Sequence, residues 1–225
     1  MSYSHPGHIP LDLRHYWYFD CEEKMNTIVI HNYDPRWPAE YEGIANRLER
    51  VLGDEALRID HIGSTSVPGL GAKDVIDVQV TVEQLSDAQR DAMVMAGYQQ
   101  VAVARDHIPP GGGEDLTQWV KLLFVQRAGE RRANIHIRQL GLPNQRYALL
   151  FRDYLRAHPA AASVIEEIKR ALARLHPRNL DAYYNIKDPV NDLVWIAAQE
   201  WAAQTGWAQI DLIPAPTEDA MAASD

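Results

Sequence analysis

The stretch His61-Ile-Gly-Ser-Thr-Ser-Val-Pro-Gly-Leu-Gly-Ala-Lys-Asp-Val-Ile-Asp-Val-Gln-Val80 joins a strand-like run, a small polar turn and an apolar strand that carries one carboxylate. Backbone N–H groups and hydroxyls at Gly63, Ser64 and Thr65 can hold a phosphate. Asp77 would project from the following strand, where a divalent cation could bridge its carboxylate and the phosphate. The stretch therefore predicts an anion-binding turn that faces a candidate metal ligand.

A site for two metal ions would need a second carboxylate on the face of the strand that carries Asp77. Side chains alternate across a strand, so residue 79 shares that face. The residue there is Gln79. Lys73, between the turn and the strand, can either neutralise phosphate oxygens or be a solvated loop charge.

The composition is that of an ordinary soluble globular protein with 225 residues, 46% apolar and 24% charged, which is enough for one domain with a sizeable core. The net charge of −9 argues against binding to nucleic acid or to anionic membranes. No stretch approaches the length of a membrane span. One cysteine, Cys21, excludes an internal disulfide framework. We therefore expect a cytoplasmic protein with neither a nucleic-acid nor a membrane partner.

The chain divides into three parts. Residues 1–25 form an N-terminal extension whose aromatic segment, Tyr16 to Phe19, could be a dimer contact, a lid or a packed edge. A possible homodimer is therefore left open. Residues 26–212 carry the fold, and the Pro-, Ala- and acid-rich residues 213–225 predict a disordered tail.

Hydrophobic periodicity predicts an α+β domain in which a mixed β-sheet is flanked by helices and followed by a helical C-terminal portion. The predicted strands are Thr27 to Ile30, Leu57 to Ile62, Val75 to Val82, Tyr98 to Ala104, Trp119 to Gln126 and Ala133 to Gln139, the last two as a hairpin. The predicted helices run from Pro38 to Leu52, Val82 to Met95, Asn144 to Pro159, Ala160 to Leu175 and Pro189 to Thr205.

Several short motifs together resemble the GrpB family. They are His61-Ile-Gly-Ser-Thr-Ser-Val-Pro-Gly-Leu70, Ala72-Lys73, Ile76-Asp77, Asn134-Ile-His136, Leu150-Phe-Arg-Asp-Tyr-Leu-Arg-Ala-His-Pro159, and Tyr184 with Lys187. GrpB proteins are similar in fold to nucleotidyltransferases, which place a Gly-Ser turn before a strand with two acids and a third acid on a neighbouring strand. The resemblance also implies a nucleotide-related role, because GrpB-like domains occur fused to the kinase that phosphorylates dephospho-coenzyme A.

Carried over onto this chain, the resemblance matches Gly63 and Ser64 to the nucleotidyltransferase turn and Asp77 to its first acid. Gln79 departs from the pattern at the second acid. His136 stands on the strand where the third acid is expected. Asp77, Gln79 and His136 would suit one weakly held Mg²⁺, or a softer metal such as Mn²⁺ or Zn²⁺.

The leading hypothesis is a metal-dependent enzyme that transfers a nucleotidyl or phosphoryl group from a nucleoside triphosphate to an unidentified small molecule. In it, Asp77 holds Mg²⁺ or Mn²⁺, and His136 is a metal ligand or general base. The residues expected to hold phosphate are Gly63, Ser64, Thr65, Lys73, Arg152 and Lys187. One alternative is a non-catalytic nucleotide-binding or regulatory module, which Gln79 favours. Another is a nucleotide-independent metal enzyme that uses His61, Asp77 and His136.

Overall fold

The computed structural model describes residues 27–209, so the predicted N-terminal extension and C-terminal tail lie outside the described residues. The strands are β1 (Arg58–Ile62), β2 (Ile76–Val82), β3 (Gln99–Val101), β4 (Leu122–Val125) and β5 (Ala133–Gln139). The helices are α1 (Trp37–Leu52), α2 (Asp87–Met95), α3 (Pro143–Ala157), α4 (Pro159–Leu175) and α5 (Leu180–Thr205).

The five strands form one mixed sheet with the order β1-β2-β5-β4-β3. The β2–β5 pair is parallel, and the other neighbouring pairs are antiparallel. The parallel register places Asp77 beside Asn134 and Gln79 beside His136. The predicted α+β fold, with a mixed sheet and a helical C-terminal portion, is confirmed.

One face of the sheet forms the main hydrophobic core with α1 and α2. Alternate residues of β2 and β5, among them Val78, Val80 and Ile135, are fully buried there against Leu48 of α1 and Met93 of α2. This alternation follows from strand geometry, which sends successive side chains to opposite faces. The polar residues of β2 and β5 therefore share the other face.

The polar face of the sheet is covered by the helical C-terminal half of the chain. Gln79 and Thr81 have no exposed surface, because Gln145 of α3 lies over them and contacts both side chains. Helices α3 and α4 also pack against the turn that follows β1, through Leu155 and Ile165. The space between the polar face, this turn and the helices holds the cavity described below.

The first predicted strand and the last predicted helix differ from the structure. Thr27 to Ile30 is not a strand of the sheet, because Ile28 and Ile30 instead pack against α4 and α5. The last helix begins at Leu180 rather than at Pro189, since the Asn179 side chain caps it by accepting a hydrogen bond from the Ala182 N–H at 2.9 Å. Pro189 is tolerated inside α5.

The helix α2 is shorter at its start than the sequence predicts. Ser86 and Gln89 form a capping box, which satisfies orphan N–H groups at the helix start and fixes the first turn at Asp87. Within residues 27–209, none of the helices combines the length and the apolar character that crossing a bilayer requires.

Candidate functional site

A cavity of about 260 Å³ lies between the polar face of the sheet, the turn after β1 and the helices α3, α4 and α5. Most of the residues that the sequence predicts for a site line this one cavity. They are Gly63, Ser64, Thr65, Lys73, Asp77, His136 and Lys187. The fold thus brings together residues that are more than a hundred positions apart in the chain.

The glycine of the turn packs directly on the acid of β2. Gly63 has a φ of +69°, and a Cβ at this position would lie 2.3 Å from Oδ2 of Asp77. A side chain here would be strained by the backbone conformation and would also collide with the carboxylate. Glycine at residue 63 is therefore required for the close approach of the turn to Asp77.

The hydroxyls of the turn already have partners. Ser64 Oγ accepts a hydrogen bond from Lys169 Nζ at 2.9 Å. Thr65 is 1% exposed, and its Oγ1 lies 2.9 Å from Nε2 of His61. Of these two hydroxyls, that of Ser64 contacts a lysine of the cavity wall.

Asp77 is partly buried in the cavity wall and its Oδ1 accepts a hydrogen bond from Asn134 Nδ2 at 2.8 Å. Burial raises the pKa of this carboxyl above its ordinary value, while the Asn134 hydrogen bond and the charges of Lys73 and Lys187 act in the opposite direction. A cation placed against Asp77 would offset this burial cost. The environment therefore favours a positively charged neighbour for the carboxylate.

Three lysines from separate segments meet in the cavity, and we call Lys73, Lys169 and Lys187 the lysine cluster. Lys73 donates a hydrogen bond to the Tyr184 hydroxyl. The ammonium groups of Lys73 and Lys187 lie 5.1 and 5.2 Å from the centre of the Tyr184 ring. Tyr184 thus helps to position two of the three ammonium groups.

Lys169 of α4 is the most enclosed member of the lysine cluster, with 5% of its surface exposed. Its Nζ donates to Ser64 Oγ at 2.9 Å and to the Gly71 carbonyl at 2.8 Å. Burial, with the neighbouring charge of Lys187, lowers the pKa of Lys169 to about 7. This lysine is not among the residues predicted from the sequence.

His136 lies in the cavity wall with its Nδ1 3.3 Å from both Lys121 Nζ and Arg138 Nη2. An arginine can only donate a hydrogen bond, so Nδ1 accepts and the neutral ring carries its proton on Nε2. Burial and the two cations lower the pKa of His136 well below its ordinary value.

This tautomer corrects the predicted roles of His136. Its Nε2 lies 4.0 Å from Asp77 Oδ1. To act as a metal ligand or as a general base next to Asp77, Nε2 would have to present a lone pair. The protonated Nε2 is a hydrogen-bond donor instead. The geometry therefore does not support His136 as a metal ligand or as a general base.

Gln79 is also not available as a metal ligand. Its Oε1 accepts a hydrogen bond from Arg138 Nη1 at 2.7 Å, and its Nε2 donates to the Gln145 carbonyl at 3.1 Å. The side chain is completely buried. Gln79 therefore ties β5 and α3 to β2, a structural role that a buried amide fills by satisfying both of its ends.

Asp106 balances the buried cations in the cavity wall. It contacts Lys121 Nζ at 2.7 Å and Arg138 Nε at 2.8 Å, with 7% of its side chain exposed. Burial opposes its ionisation, but the charges of Arg138 and Lys121 outweigh burial and hold the pKa of Asp106 far below its ordinary value. This buried ion network fixes Arg138, which in turn holds Gln79.

Arg152, predicted to hold phosphate, does not line the cavity. Its Nε donates to Asp153 at 2.7 Å, and its Nη1 donates to Asp60 at 3.3 Å and to the His61 carbonyl at 3.2 Å. These contacts join α3 to β1. Because the guanidinium is buried and already paired, its role is structural.

His61 lies on the opposite face of the sheet from Asp77. It pairs in register with Val78, whose side chain points into the main core, and its ring stacks on Tyr41 with centroids 4.7 Å apart. Burial lowers the pKa of His61 to about 4. The predicted trio of His61, Asp77 and His136 is therefore not formed, and the nucleotide-independent metal enzyme loses its ligand set.

The family follows from comparison with known proteins. The family model described as GrpB protein matches residues 27–195. The chain belongs to the GrpB family. The crystal structure of a conserved GrpB protein from Enterococcus faecalis, with 30% identity, superposes with a TM-score of 0.61 over 77% of this chain and 99% of that chain.

Other relatives of this GrpB protein are longer. A dephospho-CoA kinase from Mycolicibacterium paratuberculosis is 37% identical over 77% of this chain and 46% of that protein. The UPF0157 protein YqkA from Bacillus subtilis is 31% identical over 75% of this chain and 45% of that protein. The chain thus spans about half the length of these relatives. Cid1 poly(U) polymerase bound to MgATP gives only a weak overall likeness, with a TM-score of 0.42 and 12% identity over 62% of this chain and 42% of that chain.

The metal ligands of this GrpB protein are few. Within residues 27–209, no group of three or more His, Cys, Asp or Glu side chains is placed to hold a metal ion. Asp77, Asp106 and Asp188 line the cavity, but Asp106 is paired with Lys121 and Arg138, and Asp188 is paired with Lys187. Such a site does not fit two protein-held metal ions, but it fits one Mg²⁺ whose other ligands are phosphate oxygens and water.

Lysine usage is a sequence signal that could have located this site. Of the 22 lysines and arginines in the GrpB chain, five are lysines, and they are Lys24, Lys73, Lys121, Lys169 and Lys187. Three of these five line one cavity, and Lys121 contacts His136 in its wall. Lysine offers a compact charge that titrates when buried, which arginine cannot do. The few lysines of this arginine-rich chain were therefore candidates for one shared site.

Proposed function

We propose that this GrpB protein binds a nucleoside triphosphate in the cavity, with the phosphates against the lysine cluster. The observation that carries the proposal is the convergence of Lys73, Lys169 and Lys187 on one cavity in a chain with a net charge of −9. Asp77, Asp188 and Glu166 offset part of this positive charge, and the phosphates of a ligand would offset the burial and repulsion that remain. A triphosphate supplies several negative oxygens within one small ligand.

Asp77 explains why the triphosphate would enter with a metal ion. A carboxylate close to phosphate oxygens repels them, and one Mg²⁺ between the two removes the repulsion. Mg²⁺ commonly keeps several waters and uses one or two protein carboxylates in addition to phosphate oxygens. When bound, Mg²⁺ would supply charge neutralisation at Asp77, and Mn²⁺ is the alternative ion.

The rest of the cavity suits the nucleoside. Apolar and aromatic side chains make up much of the wall away from the lysine cluster. They include Val101, Leu123, Val125, Tyr147 and Phe151. Pockets that enclose a drug-sized ligand measure roughly 300–1,000 Å³, so a cavity of about 260 Å³ would enclose the phosphates and part of the nucleoside and leave the remainder at the mouth.

Transfer of a nucleotidyl or phosphoryl group to a small molecule is the second candidate, and the position of Asp77 next to the lysine cluster favours it. The absence of a second acid at Gln79, and of an acid at His136, weighs against it, because such transfer relies on metal ions to neutralise developing charge. The M. paratuberculosis relative is named a dephospho-CoA kinase, but this chain matches only 46% of its length, so the name does not assign transfer to the matched part. Binding without transfer is therefore the better supported function.

The proposal is tested by a thermal-stability panel with ATP, CTP, GTP and UTP, each alone and with Mg²⁺ or Mn²⁺. A ligand that binds only the folded state at a hundred times its Kd stabilises it by about 2.7 kcal/mol. We expect at least one triphosphate to raise the melting temperature in a metal-dependent way. If none of the four raises it under any condition, nucleotide binding is excluded. The stabilising triphosphate is then assayed for release of pyrophosphate or phosphate. Release indicates group transfer or hydrolysis, and no release indicates binding alone.

A further inference from the structure

The side chain of Lys169 is held in an orientation that suits a nucleophile. Its Nζ donates to Ser64 Oγ and to the Gly71 carbonyl. A neutral amine has two N–H groups and one lone pair, so these two acceptors use both N–H groups. The lone pair then occupies the remaining tetrahedral position on Nζ, and the residue itself lines the cavity.

The charges around Lys169 favour the neutral amine. Burial is the largest effect that lowers the pKa of Lys169. The positive charges of Lys187 on α5 and of Lys73 after the turn lower it further. Glu166 on α4 and Asp77 on β2 act in the opposite direction and favour the ammonium form. The balance lowers the pKa of Lys169 to about 7, so a substantial fraction of the amine is unprotonated near neutral pH. Desolvation beside another cation is a known way to activate a lysine.

The other lysines in and beside the cavity have different hydrogen-bond and ion-pair partners. Lys73 contacts the Tyr184 hydroxyl, and Lys187 lies 3.2 Å from a carboxylate oxygen of Asp188. Lys121 is paired with Asp106 at 2.7 Å. Lys169 combines enclosure with two neutral acceptors, and the other two members of the lysine cluster line the same cavity.

We propose that Lys169 forms an imine with small phosphorylated aldehydes or ketones whose phosphate is held by Lys73 and Lys187. The amine nitrogen attacks the carbonyl carbon and a C=N bond replaces the C=O bond. The carbonyl oxygen leaves as water with the two amine protons, so the step needs no oxidant or reductant. The inference shares the anion site of the proposed function, but it requires neither a nucleotide nor a metal ion.

The inference is tested with pyridoxal 5′-phosphate as the probe. The full-length protein is incubated with the probe, the imine is reduced with borohydride, and the modified peptide is located by mass spectrometry. We expect one reduced adduct per chain, on Lys169, with a yield that rises as the pH passes through about 7. Pyridoxal without the phosphate should modify Lys169 much less, because it lacks the group that the lysine cluster binds.

Two variants separate the nucleophile from the charge. Lys169→Arg keeps the charge but cannot form an imine, since a guanidinium does not deprotonate in proteins, and a roughly tenfold or greater loss of adduct is expected. Lys73→Met leaves the nucleophile in place and removes one phosphate-binding charge, so the adduct should stay on Lys169 but require more probe. Circular dichroism shows whether each variant is folded.

An adduct spread over several lysines, or located on Lys73 or Lys187 in the wild-type protein, would overturn the inference. The peptide map of the wild-type protein decides this even if Lys169→Arg does not fold. If no adduct forms but a nucleoside triphosphate stabilises the protein in a metal-dependent way, imine formation is contradicted and the proposed function is supported. If the adduct forms on Lys169 but no triphosphate stabilises the protein, imine formation is supported and the proposed function is contradicted.

Discussion

Gly63 and Asp77 are in such close contact that a Cβ on residue 63 would lie 2.3 Å from the Asp77 carboxylate. The turn and the acid are therefore one structural unit, although they belong to separate parts of the chain. The antiparallel β1–β2 pairing, with Ile62 opposite Asp77, places the turn directly over the carboxylate. Any change of the turn backbone should therefore also move the acid.

Gly63→Ala should destabilise the fold and displace Asp77. The backbone of residue 63, with a φ of +69° and a ψ of −172°, lies in a region that is almost restricted to glycine and costs another residue about 1–3 kcal/mol, and the collision with Asp77 adds to this. Gly69→Ala is the control for a positive φ, because Gly69 has a φ of +81° and a Cβ added there would meet nothing within 4 Å. Urea denaturation measures both losses. Equal losses for the two variants would show that the contact with Asp77 has no energetic consequence.

Asp77→Asn should preserve or increase stability at pH 7 while removing the metal-dependent part of triphosphate binding. Burial raises the pKa of Asp77. The ordinary pKa applies to the unfolded chain and the raised pKa to the folded protein. The folded protein therefore loses stability as the pH rises from the first value through the second, because it disfavours the charged carboxylate. Asparagine has no charged form and can still accept from Asn134. Thermal unfolding with and without triphosphate and Mg²⁺ measures both effects, and an unchanged metal effect would remove Asp77 from the site.

Lys169 should give the wild-type protein a stability that rises with pH. Its pKa is lowered from 10.5 to about 7, so between these values the unfolded chain binds a proton that the folded protein does not. Folding is therefore favoured increasingly as the pH rises, by at most about 1.4 kcal/mol per pH unit. Lys169→Met has no such proton. The wild-type free energy of unfolding minus that of the variant should increase from pH 7 to about pH 10, and a constant difference would contradict the assigned environment.

Asp106→Asn should be strongly destabilising at pH 7, by roughly 3 kcal/mol or more, because it removes the carboxylate charge that both buried cations, Lys121 and Arg138, contact directly. The pKa of Asp106 is held below its ordinary value of 3.8, so its contribution is present above that pH and is lost as the pH falls further. The difference in the free energy of unfolding between the wild type and the variant, measured by urea denaturation, should therefore become smaller below about pH 4. A variant as stable as the wild type at pH 7 would show that the network is not required.

The local part of the site could be predicted from the sequence. Alternation along β2 places Asp77 and Gln79 on one face, and the glycine-rich turn before this strand indicates a ligand close to the backbone. Both features depend on neighbours within a few residues. The structure confirms the shared face and places the turn against Asp77.

The burial of Gln79 could not be predicted in the same way. It results from Gln145 and Arg138, which come from α3 and β5, and no pattern within β2 reports these partners. Asp106 was missed for a similar reason, since it lies outside any strand or helix and its partners come from β5 and from the residue just before β4. The side of the sheet that His61 faces depends on the pairing register of β1, which only the three-dimensional structure supplies.

Lys169 was missed although the sequence contains a signal. It lies on the buried stripe of α4, four residues after Ile165 and three before Leu172. Residues at these spacings share one helix face. A lysine on an apolar stripe has to reach a buried partner, and in this chain it reaches Ser64 and Gly71.

Calorimetric titration of the most stabilising triphosphate with Mg²⁺ tests most directly whether the lysine cluster binds phosphate. Lys73→Met/Lys187→Met removes two charges from the cavity. Arg50→Met/Arg174→Met removes two charges from exposed positions outside the cavity wall. We predict that the lysine variant loses affinity by roughly tenfold or more, about 1.4 kcal/mol, and that the arginine control binds like the wild type. Equal affinity in the two variants would contradict phosphate binding by the lysine cluster.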